Sequence, residues 1–375
     1  MTIEIATAQQ NAELTAFFEQ FEFEDLIKFK IKRPHGFFAP YQFLGFPFET
    51  LILRGKKGEC LACVTFLYPQ LFHPINKQPI KMALAIDLRV LPTRQATLGW
   101  HQNFVPVLED IKSRHHIQYF VSLLSRSDRK VLNTFLRAHP FRREVPRYHL
   151  YQNMELVSVH GFLPMSQIRL KNVEARPAHE QDWEAIDVFL QKLPKKNLED
   201  IFSSQDLKRK LEHYQLSLKH LWVARSLKSG EVFGFLVQFP ARKTQDYIPL
   251  SYQMRAHNFR QFLKFGNLFN WTHKLTKPKS RTAQELPLEF DHLIHIHVQH
   301  ADIFQMLLQS IWRTLGPYHF LVYLRNNLDY HLNLGRGIIH ASLPYDLFLI
   351  QLPRETSFEI SFSHLAIPIH SHLCF

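Results

Sequence analysis

The sequence predicts an α+β protein built from two copies of one fold in tandem. Three observations carry that reading: 375 residues, long for one domain; strand and helix patterns mixed in an α+β order; and a second run of that order about 170 residues after the first.

The elements repeat in sequence. "IEIATAQQNAELTAFFEQF", from Ile3, and "VEARPAHEQDWEAIDVFLQKL", from Val173, each read as a short strand, a turn containing Ala and Gln, and an amphipathic helix. "KKGECLACVTFLYP", ending at Pro69, and "KSGEVFGFLVQFP", ending at Pro240, each read as a hairpin with Gly-Glu in its turn. "AIDLRV" (Ala85–Val90) then parallels "LIHIHV" (Leu293–Val298), and "YFVSLLSR" (Tyr119–Arg126) parallels "HFLVYLRN" (His319–Asn326). Each copy reads β-α-β-β-β-α-β-α-β. Two domains are expected, residues 1–160 and 161–375, with an insertion in the second near 242–288. Helical spacing runs through its "QMRAHNFRQFLKFGNLFNW", before a basic, Pro-containing tail.

Composition narrows the class. A hydrophobic fraction of 46% with 33 Phe argues for large cores and against disorder. The start has no basic stretch leading an apolar block, and no apolar run reaches membrane-spanning length, so a cytoplasmic protein without a membrane span is expected. Cys60 and Cys63 spell C-x-x-C, but in a strand residues three apart point to opposite faces, which argues against a redox or zinc role. The net charge of +12 favours anionic partners.

One stretch joins strand to helix in a way that suits an anion. In "LRVLPTRQATLGWHQ" (Leu88–Gln102) an apolar strand ends at Leu-Pro, and a helical pattern starts after a turn of small residues. Amides at a helix start lack intrahelical partners and the helix dipole adds positive charge there. Ala96, Thr97 and Gly99 would let an anion approach, and Arg94 would add a fixed charge.

With that order in place, the first copy resembles the GNAT superfamily of acyl-CoA-dependent N-acyltransferases. There a fourth strand ending L-x-V-x-P runs into Arg/Gln-x-x-Gly-x-Gly/Ala at the pyrophosphate turn. Leu88, Val90, Pro92, Arg94 and Gly99 stand in register; Thr97 departs from the family's glycine. The resemblance implies two GNAT-like domains, each a mixed, mainly antiparallel sheet flanked by helices. It also implies that Leu88, Arg89, Val90, Arg94, Gln95, Ala96, Thr97, Leu98 and Gly99 contact acetyl-CoA or another acyl-CoA, whose pantetheine arm lies between splayed fourth and fifth strands. The second copy has neither Gly nor Arg at its turn, "QHADIFQM", and reads as a degenerate partner.

Direct transfer from a thioester needs a deprotonated amine, a held oxyanion and a protonated leaving thiolate. Asp87, expected to alternate with Arg89 on the face opposite Ile86, Leu88 and Val90, is the candidate base; a surface ion pair is the other account of it. The tyrosine that relatives use as acid has no match in "NTFLRAHPF", where Phe135 and Leu136 stand. "RPHGFFAPYQFLGFPF" (Arg33–Phe48), with six aromatics among prolines and glycines, is read as an irregular segment. Its Phe37, Phe38, Tyr41 and Phe43 would line an acceptor pocket or fold onto the core. "HLIHIHVQH" puts His295 and His297 on one face without a carboxylate or Cys at a matching offset, so no metal is expected.

The expected activity is therefore acyl transfer, from acetyl-CoA or a longer acyl-CoA, to a small-molecule or peptide amine by a monomeric protein. Two alternatives stand beside it: a non-catalytic binding protein, and an aminoacyl or long-acyl transferase taking its donor from tRNA or a carrier. Basic segments with interleaved aromatics keep nucleic acid open as a partner.

Overall fold

The computed structural model describes residues 1–73, 76–127, 145–166, 168, 170–193, 201–278, 285–353, 355 and 367. In the first half, β1 (Thr2–Ile5) leads into α1 (Asn11–Glu19), the hairpin β2 (Glu22–Glu24) and β3 (Ile27–Lys32), and α2 (Ala39–Leu44). The hairpin β4 (Phe48–Arg54) and β5 (Cys60–Leu67), short β6 (Gln70–Phe72), β7 (Pro79–Val90), α3 (Arg94–His115), β8 (Tyr119–Ser125) and β9 (Arg147–Phe162) follow. The second half begins with β10 (Val173–Pro177), α4 (Trp183–Lys192), α5 (Ser204–His213) and the hairpin β11 (Leu221–Ser226) and β12 (Val232–Pro240). It continues with β13 (Asp246–Tyr252), α6 (Met254–Asn267), β14 (Glu289–Val298), α7 (Ala301–Trp312), β15 (His319–Asn326) and β16 (Ile338–Gln351). The stretch "NTFLRAHPF", with Phe135 and Leu136, lies outside the described residues.

Both halves contribute to one sheet of 13 strands, ordered β1-β4-β5-β7-β8-β16-β9-β15-β14-β12-β11-β10, with β6 attached to β7. Neighbours are antiparallel except β7 with β8 and β14 with β15, so each half is mixed and mainly antiparallel. The order reads the same from either end. It also exchanges strands: β16, from the second half, pairs with β8, and β9, from the first, pairs with β15. A long β9–β16 ladder joins the halves, from Ile338 opposite Phe162 to Gln351 opposite Arg147. A second sheet, β13-β3-β2, crosses the halves again.

Apolar residues divide by sheet face. Leu51, Leu53, Val64 and Phe66 pack beneath Trp100, Phe104, Val107, Leu108 and Ile111 of α3. Leu236, Leu293 and Leu321 pack beneath Phe304, Leu307 and Leu308 of α7. On the opposite face one core is common to both halves and gathers Leu14, Phe18, Phe37 and Tyr41 with Phe189, Leu211, Tyr214 and Phe239.

The repeat is visible in single residues. Gly58 and Gly230, in the two Gly-Glu turns, both have positive φ (82° and 74°), which a side chain would strain. Two local expectations are corrected. A bulge beside Leu61 interrupts β5, so Cys60 and Cys63 reach the same core instead of opposite faces. Both are free, and burial pushes their thiols up, Cys60 to about 12, so neither is a ready thiolate. The aromatic segment is not irregular throughout: Pro40 starts α2, a position where a missing N–H costs nothing.

The insertion is fastened to β9 by a close approach. Phe162 N–H donates to the Trp271 carbonyl at 2.8 Å, and a Cβ at Gly161 would stand 2.2 Å from that oxygen and 2.8 Å from Thr272 Cα. Both obstacles are backbone and cannot rotate away. Gly161→Ala is expected to cost about 1–3 kcal/mol, measured by denaturant unfolding; an unchanged midpoint would show that the insertion is loosely held.

Candidate active site

The site begins where two parallel strands part. Pairing of β7 with β8 runs from Met82–Tyr119 to Ala85–Ser122 and ends, although both strands continue. At the same point both change from buried to half-buried, Ile86–Val90 on one side and Ser122–Ser125 on the other. The two strands therefore part at the C-terminal end of the pair.

A bulge interrupts β7 there. The β5–β7 register shifts between Cys63–Arg89 and Thr65–Ile86, and Asp87 takes a φ of 52°. Asp is one of the few non-glycine residues that visits this region readily. The bulge corrects the expected faces: Ile86 packs into the shared core, whereas Leu88 and Val90 pack beneath α3. Asp87 and Arg89 do share a side, as expected, with Nη2 of Arg89 3.5 Å from the carboxylate.

Asp87 is tightly partnered. Nη2 of Arg33 donates to Oδ2 at 2.5 Å and the Tyr41 hydroxyl donates to the same oxygen at 2.6 Å. Arg33 is itself buried, donating to the Phe37 carbonyl and to Oε1 of Gln245, a residue of the second half. Its guanidinium lies 4.0 Å from the Phe18 ring centroid, while that of Arg89 lies 4.3 Å from Phe23. Burial alone would raise the Asp87 carboxyl, but Arg33, Arg89 and the Tyr41 hydrogen bond hold it below its ordinary value. Asp87 is thus a persistent anion and a weak proton acceptor. Sequence reasoning missed Arg33 and Gln245; the available signal was an Arg beginning an aromatic Pro-Gly segment.

Of the proposed acceptor residues, Phe37, Phe38 and Tyr41 are buried in the shared core, and Phe43 is half-buried on α2. Of these, Tyr41 touches Asp87 directly and Phe37 is linked to it through Arg33.

The turn after β7 is simpler than expected. Thr93 caps α3, its hydroxyl accepting from Ala96 N–H at 3.2 Å, and Arg94 is already the first helical residue. The first helical bond is Thr97 N–H to the Thr93 carbonyl at 3.0 Å, so the amides of Arg94 and Gln95 have no acceptor within the helix. Arg94, Gln95, Thr97 and Leu98 are exposed, and no acidic residue occupies the first turn. Two of the small residues face the sheet: Ala96 and Gly99 are buried, and a Cβ on Gly99 would meet Met1 Sδ at 2.4 Å and Leu53 at 3.3 Å. They are small because helix and sheet pack closely there. Thr97 lies in the helix, where the family's glycine conformation is not required, and its hydroxyl donates to the Thr93 carbonyl.

The second half repeats this geometry in closed form. Pairing of β14 with β15 ends at His292–Val322, and the β12–β14 register shifts at the position equivalent to Asp87, where His295 has a φ of 47°. Tyr214, buried after α5, bonds through its hydroxyl to Nε2 of His295 at 3.0 Å, as Tyr41 bonds to Asp87. Beyond the divergence, however, Leu293–Ile296, Tyr323 and Leu324 remain buried. Asp302 occupies the first turn of α7, where it answers the dipole that an external anion would use. His295 stacks on Tyr214 at 5.8 Å and His297 packs against Phe235 at 5.0 Å, so both rings face the shared core, on one side as expected. Among the described residues, no group of three or more His, Cys, Asp or Glu is placed to share an ion.

Solved structures share this architecture. A GCN5-related glucosamine N-acetyltransferase region of a fungal multi-domain GH3 β-N-acetylglucosaminidase aligns with TM-score 0.54 and 11% identity, over 93% of this chain and 38% of that one. Saccharomyces cerevisiae N-myristoyltransferase with bound myristoyl-CoA aligns with TM-score 0.50 and 11% identity, over 92% and 82% of the two chains. Another structure of the yeast enzyme, with myristoyl-CoA and inhibitors, gives 0.50 and 10% over 97% and 86%. No family model and no curated protein matches the sequence. The fold is that of the GNAT N-acetyltransferases. Within this chain it occurs twice, as the mirrored strand order and the paired bulges show.

Proposed function

We propose that the first half binds an acyl-CoA and transfers its acyl group directly to an amine, and that the second half, divided from it near residue 160, binds no coenzyme. The observation that carries this reading is the parting of two strands: β7 and β8 separate after Ala85 and Ser122, beside the exposed start of a 22-residue helix. A phosphate-bearing coenzyme fits the unpaired amides of Arg94 and Gln95 and the charge of Arg94. Bound there, it would supply the thioester. Leu88, Arg89 and Val90 border its path, and Thr97 and Leu98 flank the turn; Ala96 and Gly99 act by setting the helix close to the sheet.

Acetyl-CoA is the first donor to test, with longer acyl-CoA beside it. Asp87 offers the acceptor amine a hydrogen-bond acceptor, and its low basicity assigns deprotonation to water. Phe37, Phe38, Tyr41 and Phe43 back the reacting end. The acceptor class is a small-molecule or peptide amine, in the cytoplasm where acyl-CoA is available, and the chain acts as a monomer. No helix among the described residues is long and apolar enough to cross a membrane.

The commitment of Asp87 to Arg33 and Tyr41 also supports a second reading, binding without transfer. Calorimetric titration with CoA and acetyl-CoA, paired with thiol release over a panel of amines, separates them. Arg94→Glu with Gln95→Glu is expected to weaken CoA binding about tenfold or more by reversing the charge at the turn. Asp87→Asn is expected to retain binding and lose thiol release. Absence of binding to any acyl-CoA would overturn both readings; binding without thiol release would favour the second.

A further inference from the structure

Helix α6 has two apolar faces, of which the protein covers one. Ala256, Leu263 and Gly266 are buried against the body of the molecule. At 100° per residue, Met254, Phe262 and Phe265 lie on the other side, and Leu268 and Phe269 follow in the turn that ends the helix; the five are 81%, 48%, 59%, 75% and 50% exposed. This stripe runs along a helix about 21 Å long. An exposed aromatic face of this size marks an interaction surface.

Its electrostatics identify the partner. From Tyr247 to Gln284 the sequence contains no Asp or Glu and seven Lys or Arg. Arg255 and Lys264 flank the stripe, both exposed, and neither has a carboxylate within salt-bridge distance among the described residues. A second copy would bring the same positive charge to the contact. An anionic lipid surface supplies both an acyl interior for the phenylalanines and headgroup charge for the flanks.

We infer that α6 is a membrane-surface docking helix, lying in the plane of an anionic bilayer with Phe262, Phe265, Leu268 and Phe269 inserted and Arg255 and Lys264 on headgroups. The helix is held ready for it. Strand β13, immediately before it, pairs with β3 from Asp246–Lys32 to Tyr252–Ile27, and Trp271, after it, is fastened at Gly161. Docking therefore requires no folding of the segment. The inference is independent of the acyltransferase reading.

The test is sedimentation of the full chain with phosphatidylcholine vesicles, with and without phosphatidylglycerol. Expected is partitioning about tenfold or more stronger on the anionic vesicles, weakened by salt. Phe265→Ser with Leu268→Ser should reduce it about tenfold or more, as should Arg255→Gln with Lys264→Gln. All four positions are exposed, and circular dichroism checks that each variant is folded. Equal partitioning on both vesicles, or variants that bind like the parent, would overturn the proposal. So would tighter binding to an acidic polypeptide than to vesicles, or self-association that the serine variant abolishes.

Discussion

Arg33→Met is expected to destabilise the protein by about 3 kcal/mol, the low end of the range for breaking a buried ion pair. The side chains of Arg33 and Asp87 are only 2% and 11% exposed, so the carboxylate left behind cannot turn to water. Arg89, 3.5 Å away, still compensates part of its charge, which sets the lower figure. The hydrogen bonds to Tyr41, the Phe37 carbonyl and Gln245 go at the same time, releasing α2 and loosening the first half from the second. Denaturant unfolding measures the loss. A change of about 1 kcal/mol or less, as for a surface pair, would show that water reaches the network. The pH dependence follows from the lowered carboxyl: the Asp87 contribution is complete above the unfolded value near 4 and disappears as pH falls through the folded one.

Mild acid is expected to destabilise the fold at a higher pH, through two buried histidines. Burial lowers His160 to about 3, with His273 and His340 adding to the effect, and lowers His292 to about 4 against the opposing pull of Asp291. Below about pH 6.5 the unfolded chain takes up protons that these folded sites refuse, so stability falls with pH. Between pH 7 and pH 5 the two together remove on the order of 4 kcal/mol. His319, raised by Asp291 3.0 Å away, acts in the opposite sense and offsets part of this. Unfolding midpoints at the two pH values provide the measurement, with His160→Gln and His292→Gln each expected to flatten the dependence. A parent protein equally stable at both would show that these rings are hydrated.

The tandem arrangement was legible because a repeated turn needs a repeated residue type: the Gly-Glu pairs preceding β5 and β12 reflect two left-handed glycines. Helix α3 was legible from the helical pattern that follows its turn. Strand exchange was not, since nothing local in β8 or β9 specifies a neighbour some 200 residues away; pairing of that kind is decided by the whole sheet. The bulges were hidden as well, because apolar alternation in "AIDLRV" and "LIHIHV" looks continuous across them. Asp87 and His295, both of types enriched in the left-handed region and both at the same place in the repeat, were the trace they left. Ala96 and Gly99 were ambiguous in the sequence because small residues serve a close ligand and a close helix equally well.

The exchange of β9 and β16 also sets an order of events during synthesis. Strand β8 emerges from the ribosome early, but the strand that closes its outer edge, β16, is made more than 200 residues later. Until then the first half presents an unpaired edge, of the kind that recruits other chains. The two halves therefore mature together, and a first half produced alone would lack the neighbour that completes its sheet.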